Sequence, residues 1–283
     1  MRWKQGRRSS NVEDRRGASR PGVRFGGGAV LIMIVLALVF GVDPTPLLQG
    51  LVQGDSPGLP SSTGGGIPAN DEEAQFISVV LASTEDTWAD IFSASGASYA
   101  APTLVLFTDA VRSACGVNSS QTGPFYCPPD QKVYIDLGFF RQLSQMGGSG
   151  DFAAAYVLGH EVGHHVQNLL GTSAAVRQAQ SRASRVEANQ LSVLMELQAD
   201  CYAGVWAHHA ERRSRILEPG DVEEALGAAA AIGDDRLQQR SGRGVQPESF
   251  THGTSEQRAQ WLRAGLSAGT LDRCDTFAAA GRQ

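Results

Sequence analysis

Positive charge is scarce in this chain outside its first 28 residues. Those residues hold eight basic and two acidic side chains, whereas the whole chain carries a net charge of −5, so that residues 29–283 carry −11. Nucleic-acid binding requires clustered positive charge that neutralises phosphates. The acidic main body therefore argues against a nucleic acid as the partner, and we predict none.

Long apolar runs are also rare. One stands out at residues 29–42 (AVLIMIVLALVFGV), and the preceding FGGG extends it to about the length that spans a bilayer. Basic residues precede this run and none directly follows it, which places residues 1–28 in the cytoplasm by the positive-inside rule. We therefore predict a single-pass anchor in the cell membrane, a flexible linker at 43–70 and an extracytoplasmic domain at 71–283. A cleaved signal peptide and a buried core helix are the alternatives.

Cysteine is limited to four residues, Cys115, Cys127, Cys201 and Cys274, and no C-x-x-C pair occurs, which disfavours a metal held by cysteine. An even number in an extracytoplasmic domain suggests disulfides, for which four cysteines allow three connectivities. Because Cys115 and Cys127 flank a loop rich in glycine, asparagine, serine and proline, we expect them to pair. Cys201 then pairs with Cys274, and buried free thiols are the alternative.

The order of the predicted elements indicates an α+β fold with a small sheet. Apolar residues recur at helical spacing in residues 72–94, and two short runs typical of strands follow, Thr103–Phe107 and Lys132–Leu137. Helices are then expected from Asp151, as N-cap, to about Leu170, over roughly 174–216 with one break, from about Asp221, and after Ser255. Strands that precede a run of helices are typical of α+β domains.

His160, Glu161 and His164 form the pattern H-E-x-x-H within a predicted helix. Histidines four residues apart lie on one helix face, where two imidazole nitrogens reach the same ion. Neutral imidazole suits Zn²⁺, and a carboxylate that does not coordinate the metal serves as a general base. The motif therefore predicts one zinc ion bound by His160 and His164, with Glu161 as the base.

A catalytic zinc ion takes three protein ligands and leaves one position for water. The best candidate for the third ligand is Glu196, in the sequence ELQAD on the next predicted helix. Its neighbours are mostly apolar, which indicates a buried stretch, and buried carboxylates require partners. Asp200, one turn further on, is expected to accept a hydrogen bond from the remote nitrogen of a ligand histidine. A solvated acidic helix face is the alternative.

The segments HEVGHHVQ (160–167) and ELQADCYAG (196–204) resemble the neutral zinc metallopeptidase family of bacterial membrane-anchored proteins. The resemblance extends to three further segments and covers most of residues 71–283; the segments are PFYCP (124–128), VYID (133–136) and THGTSEQR (251–258). It implies a zincin-like fold and zinc ligands at His160, His164 and Glu196. It identifies the site more firmly than the substrate.

Three other residues near these motifs have candidate roles. His252 precedes a predicted helix in a loop, where a histidine can stabilise the oxyanion of a tetrahedral intermediate, and Tyr202 is a second candidate for that role. A structural role is the alternative for each. His165 points about 100° away from His164 around the helix, so we expect it to pack or to form a hydrogen bond rather than to bind metal.

These residues together predict hydrolysis of peptide bonds by a zinc-bound water, with a peptide or protein as the substrate. Glu161 deprotonates the water and later passes the proton to the leaving amine. The strand Lys132–Leu137 is expected to form the sheet edge above the site helix and to bind an extended peptide by main-chain hydrogen bonds. Two alternatives remain. One is a non-catalytic, zinc-stabilised, membrane-tethered binding or scaffold module, against which Glu161 argues because a closed four-ligand site needs no base. The other is a zinc hydrolase of non-peptide amides.

Overall fold

Helices make up most of the chain that the computed structural model describes, which is residues 1–17, 67–242 and 244–281. They are α1 (Glu72–Ala94), α2 (Gly138–Gln145), α3 (Asp151–Leu169), α4 (Thr172–Gln180), α5 (Arg185–Ser214), α6 (Asp221–Ala231), α7 (Asp234–Arg240), α8 (Ser255–Ala268) and α9 (Thr276–Ala280). The helix predicted at 72–94 is confirmed, and the break predicted within 174–216 falls between α4 and α5. Asp151 is the first residue of α3 rather than its N-cap, which is Gly150.

The strands form a small sheet and a separate hairpin. In chain order they are β1 (Val12–Asp14), β2 (Thr103–Phe107), β3 (Ala110–Ser113), β4 (Gly116–Ser119), β5 (Phe125–Cys127) and β6 (Lys132–Asp136). The sheet has the order β1-β2-β6-β5, in which β5 alone runs antiparallel to its neighbour, while β3 and β4 pair with each other. A mostly helical domain with a small sheet agrees with the α+β prediction.

The edge predicted for this sheet is wrong. The strand Lys132–Leu137 was expected to be exposed above the site helix, but β6 lies between β2 and β5 and pairs with both. The covering strand β5 has three residues, too few to show a strand pattern in the sequence. The edge on that side of the described sheet is therefore β5.

The first 14 residues fold together with the predicted zinc domain. β1 pairs in parallel with β2, and the guanidinium of Arg7 lies 2.9 Å from the carboxylate of Glu85 on α1. Lys132 on β6 donates to Glu13 on β1 at 2.5 Å. Met1–Asp14 accordingly belong to the same compact unit of the chain as the described residues between 67 and 281.

The predicted membrane topology is therefore wrong. It placed residues 1–28 in the cytoplasm and 71–283 outside, yet a membrane cannot separate β1 from β2, which pair residue by residue. Within the described parts of the chain, no helix is both long and apolar enough to cross a bilayer. The anchor predicted at 29–42 and most of the linker predicted at 43–70 lie outside the described residues.

A glycine brings α3 close to α5. A Cβ atom at Gly163 would lie 2.9 Å from the carbonyl oxygen of Ala199 on α5, so that only glycine fits this approach of two backbones. The residue after this glycine is His164, and His160 lies one turn earlier on the same face. The close packing of α3 on α5 therefore brings His160 and His164 next to Glu196, which lies on α5.

Both predicted disulfides are present. Cys115 bonds to Cys127 and so links the β3–β4 hairpin to the edge strand β5. Cys201 bonds to Cys274 and links α5 to a short 3₁₀ helix near the end of the chain. Bonds of this kind stabilise a domain by about 2–4 kcal/mol, mainly because they restrict the unfolded chain.

Candidate metal centre

The three predicted metal ligands lie together between α3 and α5. Nε2 of His160 is 3.1 Å from one carboxylate oxygen of Glu196, and Nε2 of His164 is 3.3 Å from the other. One ligand atom from each of the three residues lies within 4.8 Å of the other two. Tetrahedral ligands about 2.0–2.1 Å from zinc stand about 3.3 Å from each other, which is close to the separations seen here.

The other nitrogen of each histidine is held by an acceptor. Nδ1 of His160 donates to Asp200 at 2.8 Å, as predicted for that residue, and Nδ1 of His164 donates to the amide oxygen of Gln167 at 2.9 Å. The Gln167 side-chain nitrogen donates to the carbonyl of Met195, which fixes its oxygen toward His164. These acceptors place the proton of each ring on Nδ1 and leave the lone pair on Nε2.

The donor set fits a zinc ion. Both Nε2 lone pairs face the carboxylate of Glu196, and two acceptors at this distance repel each other unless a cation or a proton lies between them. Two imidazoles and one carboxylate are ligands that Zn²⁺ prefers, and three protein ligands are typical of a catalytic zinc site. His160, His164 and Glu196 therefore form a candidate zinc site with a position left for another ligand.

The charges around the site favour a cation. Burial disfavours a charged imidazole, but the carboxylates of Asp200 and Glu196 overcome this effect and raise the pKa of His160 to about 10. Burial also opposes the charge on Glu196, yet the two imidazoles hold the pKa of its carboxyl well below the usual range. A dication that binds here displaces the proton and leaves the histidines as neutral ligands.

Glu161 is buried beside this group but does not join it. Its residue is 7% exposed, and its carboxylate makes no hydrogen bond or ion pair within residues 1–17, 67–242 and 244–281. Burial raises the pKa of Glu161, and the imidazoles of His160 and His164 oppose that rise. Its carboxylate lines an open cleft instead of pairing with a protein group, which makes Glu161 a candidate for a functional group.

A cleft of about 750 Å³ opens onto the three candidate metal ligands and Glu161. The edge strand β5 contributes Phe125 and Tyr126 to its wall. Apolar side chains line one part of the cleft, among them Phe139, Met146, Val157, Ile232 and Leu237, and polar ones from α4 and α5 line another, among them Ser173, Arg177, Gln180 and Ser192. The cleft is large enough for several residues of an extended peptide.

His252 also lines this cleft, and Asp234 holds it there. Nδ1 of His252 lies 3.1 Å from Asp234, whose other oxygen accepts the backbone N–H groups of residues 251–253 at 2.6–3.2 Å. The hydrogen bond to Asp234 raises the pKa of His252, while partial burial opposes the rise. Nδ1 is thereby occupied, and Nε2 is left as the nitrogen available to a ligand.

The second candidate for an oxyanion-stabilising group, Tyr202, is not at the site. It follows Cys201 on the face of α5 that packs against α1, where its ring contacts Trp88 edge-on at 5.7 Å between centroids. It does not line the cleft that contains Glu161. His165 forms hydrogen bonds with Tyr126 and with the carbonyl of Ala100, which confirms its predicted structural role.

The sequence did not identify Arg258, Tyr156 or Gln167 as part of the site. Arg258 on α8 contacts Asp200, and the hydroxyl of Tyr156 donates to the same carboxylate at 2.5 Å. One signal was available, since Arg258 lies one turn before Leu262 on the buried face of a helix, where a charged residue requires a partner. Its partner could not be derived from local spacing.

A family model described as "Putative neutral zinc metallopeptidase" matches residues 1–277. The chain belongs to this family. The resemblance inferred from the sequence motifs is thereby confirmed, and membership supports zinc-dependent peptidase activity at the level of the family. The match begins at residue 1, so that the family domain includes the N-terminal strand β1 as well as the metal centre.

Curated relatives match over nearly the whole chain. "Uncharacterized protein YpfJ" of Escherichia coli strain K12 is 50% identical over 288 aligned residues, which cover 98% of this chain and 99% of the relative. "Uncharacterized protein Rv2575" of Mycobacterium tuberculosis strain H37Rv is 40% identical over 260 residues, or 86% of each chain. No solved structure matches the chain significantly.

Proposed function

We propose that this protein hydrolyses peptide bonds in a zinc-dependent reaction. The observation that carries the proposal is the position of Glu161, a buried carboxylate without a protein partner that opens into the cleft beside a three-ligand metal group. A closed structural zinc site has four protein ligands and no need of a base. An open site with an adjacent carboxylate is the arrangement that a zinc peptidase requires.

His160, His164 and Glu196 would hold one zinc ion. When bound, zinc lowers the pKa of a water molecule and polarises a carbonyl group, as in other zinc hydrolases. Asp200 and Gln167 orient the two imidazoles through their Nδ1 protons, so that both Nε2 atoms point at one place. We extend the proposal to a zincin-like arrangement of the domain, with α3 as the site helix.

Glu161 would act as the general base. Its carboxylate takes a proton from the attacking water and passes it to the nitrogen of the leaving amine, which requires a carboxylate with free access to the cleft. Its neighbours His160 and His164 face Glu196 instead, so they do not compete for the proton.

His252 would stabilise the carbonyl oxygen as negative charge develops on it. Asp234 fixes the ring through Nδ1 and through the backbone of the same loop, which directs the remaining N–H into the cleft. A donor fixed before the reaction costs no reorganisation when the charge appears, and such groups are among the strongest contributors to catalysis. The proposal thus favours the catalytic role of His252 over the structural role that the sequence left open.

The substrate backbone would bind along β5 rather than β6. The carbonyl of Cys127 accepts the N–H of Gln131 at 2.9 Å across the turn into β6, so the main-chain groups of Cys127 face β6. Because adjacent residues of a strand alternate in direction, the N–H and C=O of Tyr126 face the opposite side, along the cleft. An extended peptide can add to that edge by main-chain hydrogen bonds.

Digestion of a peptide library tests this function, with mass spectrometry of the products from the wild type, Glu161→Gln and Glu223→Gln. Glu223 is an exposed carboxylate on α6 that does not line the cleft, so it serves as the matched control. We expect the wild type and Glu223→Gln to cleave alike, and Glu161→Gln to lose about 10²–10⁴-fold in rate, the usual contribution of a general base.

Two outcomes would contradict the proposal. Equal cleavage by Glu161→Gln and the wild type would remove Glu161 from the mechanism. Zinc-loaded wild type that cleaves no peptide in the library would favour the non-catalytic binding or scaffold module instead.

A further inference from the structure

Arg258 is the most deeply buried arginine in the described chain, and it sits behind the metal ligands. Its side chain is buried, with 2% of the residue exposed. Its guanidinium donates two hydrogen bonds to Asp200, from Nε to Oδ2 and from Nη2 to Oδ1, both 2.9 Å long. Nη2 also donates to the hydroxyl of Tyr156 at 3.2 Å, and that hydroxyl donates to Asp200. A planar guanidinium that contacts both oxygens of a carboxylate fixes its orientation as well as its charge.

The orientation of Asp200 matters because its Oδ1 atom is the acceptor for Nδ1 of His160, at 2.8 Å. Rotation of the carboxylate would remove that acceptor and release the ring. The imidazole could then turn, or move its proton to Nε2, and in either case the lone pair that faces Glu196 would be lost. Asp200 is completely buried, so that water cannot replace either partner.

The balance of charges at the site also supports a role for Arg258 beside the metal ligands. Three carboxylates meet here, those of Glu161, Glu196 and Asp200, and all three side chains are buried or half-buried. A zinc dication balances two of these charges, and the guanidinium of Arg258 balances the third. Burial of an arginine is expensive unless it is paired and hydrogen-bonded, as it is here.

We propose that Arg258 is a positioning residue of the metal centre, which acts through Asp200 and His160 to hold the lone pair of His160 on the zinc position. The inference rests on the proposed function, in that it requires zinc at His160, His164 and Glu196. Arg258 donates to Asp200, and its Nη2 also lies 3.4 Å from Nδ1 of His160, but it is not itself a ligand of the proposed zinc ion. Its loss therefore weakens zinc binding, even though no ligand is removed.

A purely structural role for Arg258 makes a different prediction. α8 packs along α5, and a buried ion pair between the two helices would serve to join them. Replacement of Arg258 would then lower the stability of the domain, but the folded molecules would bind zinc as tightly as the wild type does. Zinc affinity, measured on folded protein, separates the two roles.

The test is a zinc dissociation constant from competition with a chelator, for full-length wild type, Arg258→Met, Arg258→Lys, Asp200→Asn and the Arg258→Met/Asp200→Asn double variant. We expect Arg258→Met to bind zinc about 10–100-fold more weakly, the usual effect of losing a partner behind a ligand. Arg258→Lys keeps the positive charge but loses the planar group that contacts both oxygens of Asp200. Its zinc affinity should therefore lie between those of the wild type and Arg258→Met. In the Asp200→Asn background the loss of Arg258 should have little further effect, because the residue through which it acts is already changed.

Arg263→Met is the matched control, since Arg263 is an exposed arginine on the same helix. Folding is checked for each variant by thermal unfolding, and Tyr156→Phe supplies a milder probe of the same carboxylate if Arg258→Met does not fold. We expect Tyr156→Phe to weaken zinc binding several-fold.

The inference is overturned if folded Arg258→Met and Arg258→Lys bind zinc like the wild type, or if the effects of Arg258→Met and Asp200→Asn simply add. Failure of the zinc site has a separate signature, because the wild type itself would then bind no zinc. Failure of peptide hydrolysis alone would appear as zinc-loaded wild type that cleaves no peptide, and it would leave the zinc affinities of the variants unaffected.

Discussion

The hydroxyl of Tyr126 lies 2.9 Å from Nδ1 of His165 and connects the edge strand β5 to the site helix α3. Nε2 of His165 donates to the carbonyl of Ala100 at 2.6 Å, which leaves Nδ1 to accept the hydroxyl proton. Burial lowers the pKa of His165 and so favours the neutral ring that this arrangement requires. Asn168 donates to the same hydroxyl at 3.1 Å. The proposed substrate-binding strand is thereby fixed relative to His164.

Replacement of Tyr126 by phenylalanine should weaken substrate binding without loss of zinc. The variant lacks both hydrogen bonds of the hydroxyl, each worth about 0.5–1.5 kcal/mol, so the edge strand becomes less firmly held against α3. A loss of about 1.4 kcal/mol in binding corresponds to a tenfold rise in KM. Steady-state kinetics on a peptide substrate and metal analysis of the same sample measure the two effects.

The matched control for this variant is Tyr99→Phe. Tyr99 packs edge-on against the same His165 at 5.7 Å, but its buried hydroxyl has no hydrogen-bond partner in the described residues. Its removal should leave KM unchanged. A similar rise of KM in both variants would show that the Tyr126 hydrogen bonds do not position the strand.

A methyl group at Gly163 should disrupt the metal centre through helix packing. In Gly163→Ala the new Cβ meets the carbonyl oxygen of Ala199 at 2.9 Å, so α3 and α5 must move apart. Overpacking of this kind costs about 1–3 kcal/mol of stability, and it shifts His164 away from Glu196. The free energy of unfolding, measured in urea, and the affinity for zinc should both be lower than in the wild type.

Gly227→Ala is the comparison, because a Cβ at this helical glycine of α6 has its nearest neighbour at 3.6 Å. Alanine in place of a helical glycine gains about 0.5–1 kcal/mol, so this variant should be as stable as the wild type or more so. Unchanged stability and zinc affinity in Gly163→Ala would contradict the close contact between α3 and α5.

The pH dependence of activity should report on His252 and Asp234. Asp234 raises the pKa of His252, so its imidazolium, the stronger donor, persists to higher pH in the wild type. The other charged groups that act on His252 are Glu196, which also raises its pKa, and Arg258, which lowers it. Asp234→Asn should therefore shift the alkaline limit of kcat/KM to lower pH.

His252→Gln supplies the second half of that test. Loss of an oxyanion donor lowers kcat by about 10²–10³-fold, and the limit assigned to His252 should vanish from the pH profile. Zinc content should stay at the wild-type level in both variants. A His252→Gln variant with full activity would return His252 to a structural role.

The two disulfides should differ in their effect on stability. The chain-entropy model gives about 4 kcal/mol for the bond between Cys201 and Cys274, which are 73 residues apart, and about 3 kcal/mol for Cys115 and Cys127, 12 apart. The paired replacements Cys201→Ala/Cys274→Ala and Cys115→Ala/Cys127→Ala are compared by urea unfolding. The reverse order of stability would show that native-state contacts, rather than loop closure, dominate.

The candidate metal ligands could be predicted from the sequence because their signal is local. His160 and His164 are predicted by their spacing of four residues on one helix. Glu196 is predicted by its place in an apolar stretch of the next helix. The partners of Arg258 and Tyr126 could not be derived in this way, because they lie 58 and 39 residues away along the chain and are set by the packing of α8 and β5. A contact between distant segments has no periodicity from which it could be inferred.

The misassigned topology has a related cause. Basic residues before an apolar run are typical of a cytoplasmic flank, and Arg7 was counted among them. In the structure Arg7 contacts Glu85 and Asp86 on α1, and β1 completes the sheet beside β2. A basic residue before an apolar run can thus form an ion pair within the domain instead of marking a cytoplasmic flank. Charge and hydropathy along the sequence did not distinguish these two roles.

Metal analysis of freshly purified protein tests the central claim most directly, with wild type, Glu196→Ala and the exposed control Glu223→Ala measured side by side. A zinc site built from His160, His164 and Glu196 predicts close to one zinc per chain in the wild type and in Glu223→Ala, and a large loss in Glu196→Ala. Wild type that contains no zinc, or Glu196→Ala that retains it fully, would contradict this account.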